Sequence, residues 1–345
     1  MNPIIFFLIS TSLVLGTVIT MSSSHWLLAW AGLEMNTLAI IPIISKQHHP
    51  RATEAATKYF LTQATASALI LISSSMNAWK TGQWDISQLS TPESIITLTL
   101  ALAMKLGVVP MHFWLPEVLQ GSTLTTALII TTWQKLAPIS LLMLTYNSLN
   151  LTMLMTLGLL SALLGGWLGL NQTQTRKIMA FSSIAHMGWL LMALTINPNI
   201  TTITLTTYLL LTTTMFATLM LMASKTLLDL SSTSPQTPTL LTTSMITLMS
   251  LGGLPPLTGF MPKWLILTEL ITNNLPLISM ILAMATLPSL FFYLRMSQMT
   301  TLTLPPKTTL TEYKWRFKLT FSPLAPMITL SALLLPITPL LTNWN

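Results

Sequence analysis

The sequence has no cysteine among its 345 residues. That excludes disulfides, thiolate nucleophiles and sulfur-ligated iron–sulfur clusters on this chain. Charge is nearly as scarce. Asp, Glu, Lys and Arg make up 7% of the residues, whereas a soluble domain carries about a quarter. A soluble protein of this length could not cover its surface with so few charges, so an all-α polytopic membrane protein is expected. No phosphate loop and no dinucleotide fingerprint occur. His48 and His49 are adjacent and cannot share one helical face. No metal and no cofactor site is therefore expected. The opening Met1-Asn2-Pro3-Ile4-Ile5-Phe6-Phe7 lacks a basic region or an Arg-rich presequence, and reads as a span. The net charge of +7 does not imply nucleic acid, because the basic residues fall in short loops between apolar stretches. Abundant Leu, Thr and Met with no Cys fit a small organelle genome.

A membrane helix needs about 20 mostly apolar residues. Eleven stretches meet that need, near 3–21, 25–44, 58–78, 95–116, 123–145, 150–170, 177–195, 201–223, 239–268, 276–295 and 324–341. Ser, Thr and Gln63 dilute the third. Even-numbered loops and the span ends beside them hold Lys46, Arg51, Lys58, Arg176, Lys177, Lys225, Arg295, Lys307, Lys314, Arg316 and Lys318. Odd-numbered loops hold only Lys80. Lys and Arg concentrate on the side from which helices insert. The amino terminus and even loops are thus expected on the matrix or cytoplasmic side, and the carboxyl terminus on the outward side. In the loop at 296–323, Tyr313-Lys314-Trp315-Arg316-Phe317-Lys318 alternates aromatic and basic residues and reads as an interfacial anchor.

Two apolar spans are broken in the same way. The first contains Met104-Lys105-Leu106-Gly107-Val108-Val109-Pro110-Met111-His112-Phe113-Trp114-Leu115-Pro116. The second contains Ser250-Leu251-Gly252-Gly253-Leu254-Pro255-Pro256-Leu257-Thr258-Gly259-Phe260-Met261-Pro262-Lys263. Proline removes an amide donor and clashes with the carbonyl four residues back, so Gly107, Pro110, Gly252, Gly253, Pro255 and Pro256 mark helix breaks. In hydrocarbon the freed backbone groups need a partner or a wet cavity. With the breaks in register, one domain over 1–345 holds two five-span repeats, about 1–148 and 149–296, plus a last helix near 324–341. Five is odd, so the repeats are inverted, as in secondary transporters.

Four ionisable residues lie well inside spans: Glu34, Lys105, Lys135 and Lys263. Each charge at the bilayer centre costs about 2.5–3.5 kcal/mol on insertion scales, on the order of 10 kcal/mol for four. Keeping them implies an interior, a partner or water, and a proton path is the reading they favour. Glu34 near Lys105 would couple the two titrations, with Lys135 taking the proton onward and Lys263 at the exit. Whether Glu34 faces Lys105 or Lys135 stays open. His112 and His186 are candidate relays, against the commoner structural histidine. Glu117 and Glu269 read as interfacial, and Asp85, Glu93 and Asp229 as loop residues.

These residues carry a resemblance. Trp30-Ala31-Gly32-Leu33-Glu34-Met35-Asn36, Met104-Lys105-Leu106-Gly107 through Glu117, Trp133-Gln134-Lys135-Leu136-Ala137-Pro138 and Leu251-Gly252-Gly253-Leu254-Pro255-Pro256 through Lys263 resemble the antiporter-like, proton-pumping membrane subunits of NADH:ubiquinone oxidoreductase, respiratory complex I. The likeness covers essentially the whole chain. It implies path roles for Glu34, Lys105, Lys135 and Lys263. It implies other membrane-arm subunits and lipid as partners, and the mitochondrial inner membrane as location. Flavin mononucleotide, iron–sulfur clusters and ubiquinone would belong to other subunits. The usual family member has fourteen spans, so the missing three would leave a flank for lipid or a neighbour. The alternatives are a free-standing cation/proton antiporter, a haem carrier using His112 and His186, and a scaffold with inert buried ion pairs.

Overall fold

A computed structural model describes residues 3–45, 49–232, 238–302, 324–333 and 335–337. The described residues are helical almost throughout, with two isolated β-bridges, His25 to Asp85 and Gln174 to Thr226. The chain is an all-α polytopic membrane protein.

It divides into two compact units, Met1–Ser161 and Ala162–Asn345. In chain order the first unit holds α1 (Pro3–Ser22), α2 (Trp26–Ile44), α3 (Pro50–Thr81), α4 (Pro92–Leu106), α5 (Trp114–Gly121), α6 (Leu124–Thr131) and α7 (Trp133–Leu144). Next comes α8 (Leu151–Gly169), within which the division falls. The second unit continues with α9 (Thr175–Ile196), α10 (Pro198–Met222), α11 (Leu227–Ser232), α12 (Pro238–Gly252), α13 (Phe260–Thr272), α14 (Pro276–Leu302) and α15 (Leu324–Leu333).

Local chemistry starts and stops these helices. Pro50, Pro92 and Pro198 begin α3, α4 and α10, where a missing N–H leaves no helical bond unmade. The Asn197 side chain accepts from the Asn199 amide at 2.9 Å and caps α10. At α11 a reciprocal cap forms: the Thr226 hydroxyl accepts from the Asp229 amide, and the Asp229 carboxylate accepts from the Thr226 amide at 2.8 Å. Burial works against the Asp229 charge, but the Thr226 and Lys225 amides prevail and hold its carboxyl below the usual range. The many threonines in the spans mostly satisfy their own hydroxyls. Thr204 and Thr218, for example, donate to carbonyls three residues back at 2.9 and 2.8 Å.

Among the described residues, seven helical stretches are long and apolar enough to cross a membrane: Pro3–Ser22, Trp26–Ile44, Leu124–Leu144, Leu151–Gly169, Thr175–Ile196, Pro198–Met222 and Pro276–Leu302. The stretch expected near 58–78 lies inside α3, whose Ser, Thr and Gln content lowers its hydropathy. Those expected near 95–116 and 239–268 are each split in two, α4 with α5 and α12 with α13. Of the last, α15 and a 3-10 turn at Leu335–Ile337 are described. The aromatic–basic stretch Tyr313–Lys318 lies outside the described residues.

Chain ends of like parity meet. In the first unit, the turn before α2 lies against the segment after α3: the Trp26 amide donates to the Trp84 carbonyl at 3.1 Å, and the Ile86 amide to the Ser24 carbonyl at 2.9 Å. The first third of α3 meets the first turn of α5 through Lys58 and Glu117 at 2.6 Å. In the second unit, the Thr175 amide donates to the Lys225 carbonyl at 3.1 Å. Arg295 of α14 donates to the Leu170 carbonyl at 2.5 Å and also to the Gln172 carbonyl.

The loop after α12 folds back against its own helix. A Cβ on Gly259 would lie 1.7 Å from the Ser250 carbonyl oxygen. No rotamer relieves a clash with backbone, so Gly259→Ala is expected to cut the yield of assembled protein severalfold, measured by native gel electrophoresis of membranes. Normal yield would show that the loop shifts freely.

Candidate functional site

Both breaks end in the same motif. Helix α4 stops at Leu106, and Gly107 turns left-handed at φ 71°. The Gly107 amide returns to the Met104 carbonyl at 3.1 Å and the Val108 amide to Ala103 at 2.9 Å. Helix α12 stops at Gly252, and Gly253 sits at φ 80°. The Gly253 amide returns to Ser250 at 3.0 Å and the Leu254 amide to Met249 at 3.3 Å. This crossed pair of bonds satisfies two of the orphan carbonyls that a helix end leaves. It leaves the carbonyl of the last helical residue, Leu106 or Gly252, without a backbone partner.

A lysine takes each of those carbonyls. The Lys135 ammonium donates to the Leu106 carbonyl. The Lys263 ammonium donates to the Gly252 carbonyl at 2.8 Å. A helix carboxyl end carries roughly half a negative charge, so an ammonium there is both hydrogen-bonded and electrostatically favoured. Lys135 is 1% exposed, Lys105 4% and Lys263 8%. None of the three snorkels to an interface.

Lys105 is different. Among the described residues its ammonium has no hydrogen-bond partner. It lines a cavity of about 10 Å³ together with Lys135, Tyr59, Gln63, Gln134 and Asn36, room for one water. The Gln63 side-chain nitrogen is also buried without a partner. Gln134 donates to the Asn36 side-chain oxygen at 2.7 Å, and the Tyr59 hydroxyl donates to Gln134 at 3.4 Å. Glu34 stands one step away. Ser67 donates to one of its carboxylate oxygens at 2.5 Å and Thr37, which lines the cavity, to the other at 2.9 Å. Among the described residues no ion pair joins Glu34 to a lysine. Among the described residues the ion pairs are Lys58–Glu54, Lys58–Glu117 and Lys80–Glu93, all between exposed side chains.

Lys135 owes its place to a bend that sequence reading missed. Helices α6 and α7 are interrupted at Thr132. Thr131 and Thr132 donate back to the Ala127 and Leu128 carbonyls at 2.9 and 2.7 Å, a pattern that bends helices. Pro138 then withholds an amide from the next turn. The Thr-Thr pair and Pro138 were the available signals.

In the second unit, Lys263 lines a cavity of about 20 Å³ with His186, Trp189 and Tyr208. His186 and Tyr208 rings lie 5.6 Å apart. The structure thus places His186 beside Lys263. It does not bring His112 to the Lys105 cavity: His112 is buried in its own loop, against Phe113 at 4.2 Å, with Nδ1 at 3.3 Å from the Pro110 carbonyl oxygen. Among the described residues no three His, Asp or Glu side chains gather in a way that could hold a metal ion.

Buried lysines seated on broken membrane helices define the class: an antiporter-like subunit of the helical membrane proteins. Residues 23–288 match the family model described as NADH:quinone oxidoreductase/Mrp antiporter, transmembrane. The chain belongs to that family. Residues 290–342 match the model of the carboxyl-terminal part of NADH dehydrogenase subunit 2. Relatives include NADH-ubiquinone oxidoreductase chain 2 of Gallus gallus, 55% identical with 99% of each chain covered, and that of Bos taurus, 51% identical with 99% of each covered. Among solved structures, a chain of respiratory complex I from Thermus thermophilus superposes with a TM-score of 0.86 at 26% identity, over 99% of this chain and 80% of that one. A chain of the Mrp complex from Dietzia shares the fold, with a TM-score of 0.78 at 16% identity, over 85% of this chain and 59% of that one.

Proposed function

We propose that the chain is a proton-translocating membrane-arm subunit of respiratory complex I, a multi-pass protein of the mitochondrial inner membrane. Within that enzyme, an H+-translocating NADH:ubiquinone oxidoreductase, it moves protons while flavin, iron–sulfur clusters and ubiquinone act in other subunits. The observation that carries the reading is the shared cavity: Lys105 without a hydrogen-bond partner and Lys135 on a half-helix carbonyl face one water-sized space.

The path begins with charge. An ionised carboxylate favours a nearby ammonium, and a neutralised one withdraws that support. When Glu34 is neutralised, Lys105 passes its proton through one water in the cavity to Lys135, once Lys135 has released its own proton and stands as a neutral amine. Lys263 with His186 repeats the arrangement in the second unit. His112, held in its own loop, is left as a structural histidine. A scaffold with inert ion pairs would join Glu34 to a lysine, and its two carboxylate oxygens go to hydroxyls instead.

Eleven spans and two inverted five-helix repeats complete the reading. The matching ends of α4 and α12 support the repeats. The meeting of even loops at Lys58–Glu117 and at Arg295 supports the span count. With the basic residues on those ends, the amino terminus faces the matrix and the carboxyl terminus the intermembrane space.

Lys105→Met tests the function. Protons moved per NADH oxidised, read in sealed membranes, should fall at least about tenfold, since a group that transfers a proton in place contributes about 10²–10⁴-fold to its step. Electron transfer from NADH to an artificial acceptor should stay at the native rate. Unchanged pumping would leave Lys105 as a structural residue.

A further inference from the structure

The geometry points to Trp189 and Gly253 as the positioning residues of Lys263: a ring face and a bare backbone beside it hold its ammonium against the Gly252 carbonyl. This rests on the proposed role of Lys263 in the proton path.

The Lys263 ammonium lies 5.8 Å from the centre of the Trp189 ring, which is buried. It donates to the Gly252 carbonyl oxygen at 2.8 Å. Gly253 also lies against it. A Cβ there would stand 2.9 Å from both the lysine Nζ and Cδ, and 3.1 Å from Cε. Two demands therefore fall on one residue. The left-handed φ of 80° ends α12 and frees the Gly252 carbonyl. The missing side chain makes room for the lysine stem to reach it. The other break has no such crowding, because a Cβ on Gly107 would meet Leu115 at 3.1 Å and Trp114 at 3.4 Å, and no lysine.

The clamp has a chemical consequence. An ammonium carries three N–H groups. One goes to Gly252. The ring face attracts the positive charge but cannot accept the proton. The rest is open to the cavity that His186 and Tyr208 line. Trp189 and Gly253 thus stabilise the charged form while leaving one outlet for its proton. Neither touches the transferred proton, so both act through Lys263.

A graded series at Trp189, made in the intact complex, tests this. Trp189→Phe keeps an aromatic face and should pump within about threefold of native. Trp189→Leu has similar bulk to Phe without the face and should fall roughly tenfold, the range of a desolvated cation–ring contact. Equal pumping by the Phe and Leu variants would mean that Trp189 only fills space, and would overturn the assignment. Gly253→Ala should approach the defect of Lys263→Met. Gly82→Ala carries a similar backbone demand, φ 74°, but with nothing within 4 Å of the added carbon, and should pump normally. If Gly253→Ala does not assemble, the Trp189 series alone decides. If Lys263→Met pumps normally, both the path role of Lys263 and its clamp fall. If Lys263→Met is inactive and Trp189→Leu is native, only the clamp falls.

Discussion

Replacing Lys135 with methionine should reduce proton translocation to background while the chain still assembles into the membrane arm. Two opposing terms set the stability of that variant. Losing the ammonium leaves the Leu106 carbonyl unsatisfied, which costs about 1–3 kcal/mol. Removing a charge from the membrane interior recovers roughly 2.5–3.5 kcal/mol on insertion scales. The terms nearly cancel, and Met fills much of the same volume. Function has no such compensation. Lys135 lines the Lys105 cavity and its nitrogen donates to the last carbonyl of α4, and a thioether holds no proton. Pumping per NADH and the amount of assembled complex, measured on the same membranes, separate the outcomes. Native pumping in the Met variant would sink the proposed path; loss of assembly would instead assign Lys135 to structure.

The second large effect is expected at Glu34. Glu34→Gln should lower pumping by at least about tenfold, within the contribution of a positioned ionisable group. The side chain keeps its size but loses the carboxylate charge that, in the proposed path, supports the Lys105 ammonium. It also loses one acceptor. Ser67 and Thr37 each donate to a carboxylate oxygen, and an amide presents one oxygen and one NH2 in their place. Ser67→Ala is expected to be milder, about two- to fivefold, because it removes one neutral-to-charged hydrogen bond and keeps the charge. The same assay reads both. If Glu34→Gln equals native and Ser67→Ala is worse, the hydroxyl pair, rather than the carboxylate charge, is what matters.

The charged members of this site were legible because charge inside a long apolar run is expensive and therefore visible. Lys105, Lys135 and Lys263 all prove buried. The breaks at Gly107 and Gly253 were legible because Gly and Pro announce themselves within an apolar helix. Where each lysine would send its proton-bearing nitrogen was not legible. Leu106 lies 29 residues before Lys135, on another helix, and no local pattern encodes that meeting. Tyr59, Gln63, Gln134 and Asn36 were not singled out as site residues because neutral polar side chains are common in membrane helices and carry a weaker signal than a charge. The interruption at Thr132 escaped for a related reason: it uses hydroxyl back-bonding, with neither Gly nor Pro at the bend itself. His112 drew attention by its place beside a break; its Nδ1 lies near the Pro110 carbonyl oxygen, and its Nε2 finds no partner among the described residues.

An amine that has given up its proton still has two N–H bonds. The Leu106 and Gly252 carbonyls can therefore keep Lys135 and Lys263 tethered in either ionisation state. Charge can come and go at a fixed address, with no swing of the side chain. Under the proposed path, protons would then pass a stationary nitrogen, and water and fields would do the moving.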